Sequence, residues 1–270
     1  MKNILFLLII AVSFLSCEDV IEVDLEEAQE RLVVEASLLK FRDDEGLNQQ
    51  IRLTKTRGFF EEDLTTVENA QITVTKDDGE VFIFEHDTAG FYRTDNFNVE
   101  LLEKYKLKIE VDNEVYTAEE DFIPVVKIDS VTQRFDAGFG GDETEIKAFY
   151  TDPAGIDNFY LFTFFTNFIE FPEIDISDDE FFDGNSIFEI YIEEDLEVGD
   201  EVIIQNFGMS SQFYEYMFVL LNQVGAGGGP FQNQPATVRG NIVNETNPEN
   251  YPFGYFNLSE TDVFIYTVTE

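Results

Sequence analysis

The sequence predicts an all-β protein of two β-sandwich-like domains, the second with one inserted α-helix. Three patterns carry that expectation. Apolar and polar residues alternate at period two in many short runs, as on a strand with one buried face. Residues suited to tight turns separate several of these runs. Only the stretch from Phe213 to Val224 repeats its apolar residues at spacings of three and four, the period of an amphipathic helix.

Taken in order, residues 31–122 hold the first set of strands. Leu32 to Leu38 and Gln50 to Thr54 come first, then Ala70 to Thr75 and Val81 to Phe84. The last two flank Lys76-Asp77-Asp78-Gly79-Glu80, whose glycine supplies the positive φ of a hairpin turn. A second hairpin reads as Tyr105 to Val111, the turn Asp112-Asn113, and Val115 to Ala118, with one wet and one buried face. About seven short strands with turns every 8–12 residues are the pattern of an immunoglobulin-like sandwich. A boundary is expected near Phe122-Ile123-Pro124-Val125.

Residues 126–270 form the expected second β-rich domain. Its strands are Val126 to Phe135, Glu145 to Thr151, Phe159 to Phe168, Ser186 to Ile192, Glu201 to Phe207 and, at the end, Val263 to Val268. Phe159 to Phe165 is apolar at nearly every position, which predicts a strand covered on both faces. The helix is placed at about 211–224. Ser210 or Ser211 caps it, Gly225 stops it, and Gly227-Gly228-Gly229-Pro230 continues as a loop.

The chain of 270 residues carries 56 acidic and 16 basic side chains, a formal net charge of −40, yet 44% of it is hydrophobic. It can therefore bury a core, but it offers no basic surface for nucleic acid or anionic lipid. Its one cysteine, Cys17, directly follows the apolar run Ile4 to Leu15 and Ser16. With Lys2 before it, residues 1–16 read as a secretory leader, too short for the roughly 17–25 apolar residues of a membrane span. A thiol at that cut can take a diacylglyceryl group, and Phe14-Leu15-Ser16-Cys17 resembles a bacterial lipobox. Cys17 is accordingly the expected lipidation site, residues 17–30 an acidic tether, and the rest soluble beyond a lipid anchor. An acylated Cys17 leaves no thiol for disulfides, zinc–thiolate sites or cysteine catalysis.

A wider resemblance runs along the chain. It rests on Cys17-Glu18 with the acidic lead-in, Leu32-Val33-Val34-Glu35, Lys127 to Val131, Asp152-Pro153-Ala154-Gly155 and Phe182-Asp183-Gly184. It continues through Gly199-Asp200-Glu201-Val202, the helix from Ser211, Pro235 to Ile242 and Gly254-Tyr255-Phe256. In this order the chain resembles the uncharacterised outer-membrane lipoproteins of Bacteroidetes-type bacteria, a domain of unknown function. The resemblance implies an outer-membrane location, exposed at the cell surface or facing inward, and a TonB-dependent receptor as neighbour and partner. It implies no ligand and no activity.

The candidate chemistry is sparse. His86, the single histidine, ends the strand Val81 to Phe84 with no nucleophile elbow near it, and reads as an exposed turn residue. Paired carboxylates of the glycosidase kind carry no specificity among so many acids. Two acid-rich stretches raise calcium: Asp175 to Asn185, and Asp152-Pro153-Ala154-Gly155-Ile156-Asp157. Neither has the glycine position and terminal bidentate Glu of an EF-hand, so no metal ligand and no cofactor is assigned. The lack of tryptophan weakens sugar stacking, although 11 tyrosines could replace it. Phe231, in the loop Gly225 to Gln234, either waits on a mobile loop as a binding residue or tucks into the core. These readings converge on a non-catalytic lipoprotein serving a TonB-dependent receptor in nutrient uptake. The alternatives are a surface hydrolase with acidic catalytic residues, and an adhesive or structural surface protein.

Overall fold

A computed structural model of the chain describes residues 29–58, 61, 63–225 and 237–270. The expected leader, Cys17 and nearly all of the acidic tether lie outside the described residues, as does Phe231 with most of its loop.

Seven strands build the first sandwich: β1 (Leu32–Phe41), β2 (Gln49–Lys55), β3 (Gln71–Lys76), β4 (Val81–His86), β5 (Phe91–Thr94), β6 (Lys104–Val111) and β7 (Glu114–Asp121). The β6 pattern is strict: Tyr105, Leu107, Ile109 and Val111 point inward while Lys104, Lys106, Lys108 and Glu110 face water. Between β6 and β7, Asp112 and Asn113 have φ of 51° and 63°, the two left-handed residues of a type I′ turn, as expected. Strands β1, β2 and β5 pair as one layer, and β4, β3, β6 and β7 as the other. Two pairs, Glu85–Arg93 and His86–Tyr92, join β4 to β5 and curl the layers into one continuous sheet. Between the layers, the Phe82 and Phe97 rings meet edge-on at 4.7 Å. Burying each such side chain contributes about 1.5–3 kcal/mol.

The second sandwich comprises β8 (Ile128–Ala137), β9 (Glu143–Thr151), β10 (Phe159–Phe165), β11 (Glu173–Asp178), β12 (Ser186–Glu193) and β13 (Glu201–Met209). One layer is β12-β9-β8, and the other contains β11, β10 and β13. The helix α1 (Ser211–Gly225) follows, its Phe213 N–H donating to the Ser210 hydroxyl at 3.2 Å. Phe213 and Met217 lie against Leu161, Met209 and Tyr255, on the far side of β10 from the sandwich core. Tyr160 to Phe164 is therefore buried at every residue, the double cover that its apolar run predicts. Val224, expected on the apolar face of α1, is instead exposed.

After the short β14 (Val243–Asn244), the chain ends on one long strand, β15 (Phe253–Thr267). Here the division at 126 needs correction. The chain does leave the first core after Phe122 and enter the second at Ile128. It then returns: Val33 to Phe41 of β1 pair in parallel with Phe253 to Thr261, and Ile242, Phe256 and Leu258 sit in the first core. Thr261 to Thr267 pair antiparallel with β13 of the second sandwich. One strand thus belongs to both, and the two separate pieces expected around Gly254 and Val263 are a single element.

The connection at 122–126 is clamped against this strand. Ile123 N–H donates to Leu258 O at 3.2 Å, and Glu260 N–H returns to Ile123 O at 2.9 Å. The Arg42 guanidinium donates to Val125 O at 2.7 Å and sits 3.8 Å from Glu260 and 3.7 Å from Asp262. Gly208 faces the same connection so closely that a Cβ there would lie 2.2 Å from Pro124 O. Among the described residues, no helix is long and apolar enough to cross a membrane.

Candidate functional site

Folding brings the two stretches considered for calcium into one place. Asp152 leaves the end of β9, while Asp179 and Asp183 come from the loop between β11 and β12. One carboxylate oxygen of each lies within 4.8 Å of the others. Asp152 and Asp179 are buried, and Asp183 is exposed. Asp152 accepts the Tyr160 hydroxyl at 2.5 Å and Gly184 N–H at 2.9 Å. Asp183 accepts Gly155 N–H at 2.6 Å, and Asp179 accepts Asn158 N–H at 2.9 Å. Burial pushes the Asp179 carboxyl up, the Asn158 N–H opposes this, and the charges of Asp152 and Asp157 add to it. Three hard carboxylates can hold a divalent cation if water completes the shell, since calcium takes about six to eight oxygens. They also brace the two loops through backbone N–H donors without any ion. The other acids of the stretch go elsewhere. Asp178 accepts the Tyr214 hydroxyl of α1 at 3.0 Å, and Asp175 sits on β11, a strand and not the expected loop.

A half-buried carboxylate closes the edge where β11 faces β12. Glu189 accepts the Tyr150 hydroxyl at 3.0 Å and the Ser177 hydroxyl at 2.6 Å. Burial raises its carboxyl, the Ser177 hydroxyl works against this, and the Asp175 charge reinforces it.

A further carboxylate, this one buried, lies where the sandwiches join. Glu120 of β7 accepts the Tyr255 hydroxyl at 3.0 Å and an Asn241 side-chain N–H at 3.3 Å. Beside it, Tyr216, Val219, Arg239 and Tyr255 line a cavity of about 320 Å³ between α1 and the returning chain. Arg239 and Arg31 stack on the Tyr251 ring, 3.6 and 3.8 Å from its centroid. Sequence reasoning missed Glu120 and Asn241, because their partners arrive only when the C-terminal segment returns.

His86 is exposed, as expected, at the end of β4, with its ring 5.2 Å from that of Tyr92. It lines an open polar cavity of about 990 Å³ with Glu85, Asp87, Arg93 and Asp95. Arg93 is held 3.0 Å from Asp87 at the same rim.

Fold and site together define a two-sandwich, mainly β protein whose buried carboxylates sit at loop junctions and sheet edges. The chain belongs to the family described as "Domain of unknown function (DUF4249)", which matches residues 18–263. No curated protein matches it. Among solved structures, a two fibronectin type-III domain segment from chicken tenascin is similar at 11% identity and a TM-score of 0.23. The likeness covers 60% of this chain and 85% of that one, and at this level it carries no weight for fold or function.

Proposed function

We propose that the protein is a non-catalytic outer-membrane lipoprotein, anchored through Cys17, that acts as an accessory or ligand-binding partner of a TonB-dependent receptor in nutrient uptake. The observation that carries this reading is the strand β15, which pairs with β1 of the first sandwich and β13 of the second and so joins the two. The start of β1 lies beside the start of β15, at the end of that strand farthest from the second sandwich, and the acidic segment after Cys17 precedes β1 in the sequence. A lipid on Cys17 would then hold the near end at the bilayer and present the far end outward, a geometry suited to a partner alongside in the same membrane. Membership of the family is consistent with this, and the lipobox supplies the anchor.

The deciding experiment is affinity purification of the full-length, tagged chain from detergent-solubilised membranes. A TonB-dependent receptor identified by mass spectrometry in the eluate is the expected result. Repeated failure to recover any such receptor under gentle conditions overturns the reading.

A further inference from the structure

The end of the second sandwich farthest from the chain's entry carries bare phenylalanines. Three loops meet there: 138–142 after β8, 166–172 after β10, and 194–200 after β12. The Thr144 hydroxyl donates to Leu196 O at 3.1 Å, so the first and third are neighbours. The Phe164 ring stacks on that of Tyr191 at 5.2 Å, so the end of β10 that leads into the second loop lies beside the end of β12 that leads into the third. Phe139 is fully exposed, Phe171 is 74% exposed, Val198 54% and Phe168 41%. Single exposed apolar residues need no explanation, but several large ones gathered at one end mark a contact surface.

The position of this tip follows from β15. That strand starts beside Val33, close to where residues 1–28 attach, and ends with Thr267 paired to Glu201 at the root of the third loop. At about 3.3 Å per residue, it sets the tip on the order of 45 Å along the strand from the entry.

Charge restricts the occupant. Asp142 lies in the loop of Phe139, Glu170 between Phe168 and Phe171, and Glu197 beside Val198, all exposed. The nearby basic residues Arg134 and Lys147 are both engaged by Glu145, at 2.8 and 3.4 Å. A second copy would press acid against acid, and so would an anionic bilayer. A protein surface with apolar pockets ringed by Lys and Arg matches both the apolar centre and the negative rim.

We infer that this phenylalanine tip docks into such a basic-rimmed surface on the receptor, an assignment that rests on the partner reading above. The test compares full-length wild type with Phe139→Ser/Phe171→Ser and with Glu170→Lys/Glu197→Lys, in the same solubilised-membrane capture. A control, Phe181→Ser, removes an equally exposed phenylalanine from the opposite end of the sandwich. Both tip variants are expected to recover at least tenfold less receptor, with unchanged thermal unfolding, while the control recovers as much as wild type. Receptor bound to wild type is also expected to fall as sodium chloride rises from about 0.05 to 0.5 M, which tests the charged rim should a variant fail to fold. Equal recovery by the tip variants overturns the tip and leaves the partner standing; no receptor with wild type overturns both. Tip-dependent flotation with phosphatidylcholine vesicles, or tip-dependent dimerisation in sedimentation, also overturns it by naming a different occupant.

Discussion

The Glu120 carboxylate accepts the Tyr255 hydroxyl at 3.0 Å, joining residues 135 apart in the chain. The pair sits where the returning C-terminal strand meets β7. It makes the junction sensitive to proton binding. Burial raises the Glu120 carboxyl above its ordinary value, against the pull of the Tyr255 hydroxyl. The folded state thus holds this proton more tightly than the unfolded one. Its contribution is full below about pH 4.5 and is lost as pH rises through the higher folded value. Glu120→Gln keeps an acceptor for Tyr255 and should flatten the pH profile of urea-unfolding stability above about pH 4.5. Glu120→Ala should cost about 1–3 kcal/mol near pH 4.5, because Tyr255 loses its acceptor and Asn241 one of two, and less as pH rises.

The Asp152–Asp179–Asp183 cluster makes an opposite pair of demands. Without a cation, the raised Asp179 carboxyl destabilises the folded state at neutral pH but not at low pH. Asp179→Asn, which still accepts Asn158 N–H, should then raise the melting temperature at pH 7 and leave it unchanged near pH 3. Chelation should not shift the wild type. A reversible gain of several degrees with millimolar calcium, absent in Asp179→Asn, would show the cluster to be a metal site.

Close backbone approach sets the next expectation. Gly254 has φ of +102°, and a Cβ there would lie 1.9 Å from Val34 O. Gly254→Ala must therefore push β15 off β1, and Gly208→Ala must push the 122–126 connection off β13. Each should cost about 1–3 kcal/mol or more in denaturant titration. Gly79→Ala has open space around its Cβ and meets only the cost of its φ, so it should be milder.

Anchoring is tested by labelling. Cells fed an alkyne fatty acid should mark wild-type protein at Cys17 and leave Cys17→Ser unmarked. Equal labelling of both would end the lipid reading of residue 17.

What could be read from the sequence was whatever is local. The β6–β7 hairpin and α1 each depend on neighbours within a few residues, so their alternation and capping were visible. The double cover of β10 was visible too, because burial on two faces leaves nowhere for polar residues. Three elements were hidden for different reasons. β5 has four residues, too few to show a period. β11 is an exposed edge strand carrying Glu173, Asp175 and Asp178, and such acids look like a loop while serving to block edge pairing. The continuity of β15 was masked because its middle is polar yet buried. Asn257, Ser259, Glu260 and Thr261 lie inside the junction, where Ser259 donates to Gly208 O at 2.6 Å and Glu260 accepts Val125 N–H at 3.1 Å. The carboxylate cluster was half legible: both stretches could be named, but only the fold puts them together.

The strand that both sandwiches share also fixes the order in which the molecule can be finished. Residues 32–121 contain seven strands, yet the outer edge of β1 stays bare until Phe253 to Thr261 arrive. Pairings of such long sequence separation form late and slowly. A chain made from its N-terminus must wait for residues 253–267 before either half is complete. Until then β1 offers a row of free N–H and C=O groups that any other extended chain can join. A chain truncated before β15 should consequently aggregate and not persist as a stable first half, so that β15 acts as a checkpoint for the whole fold.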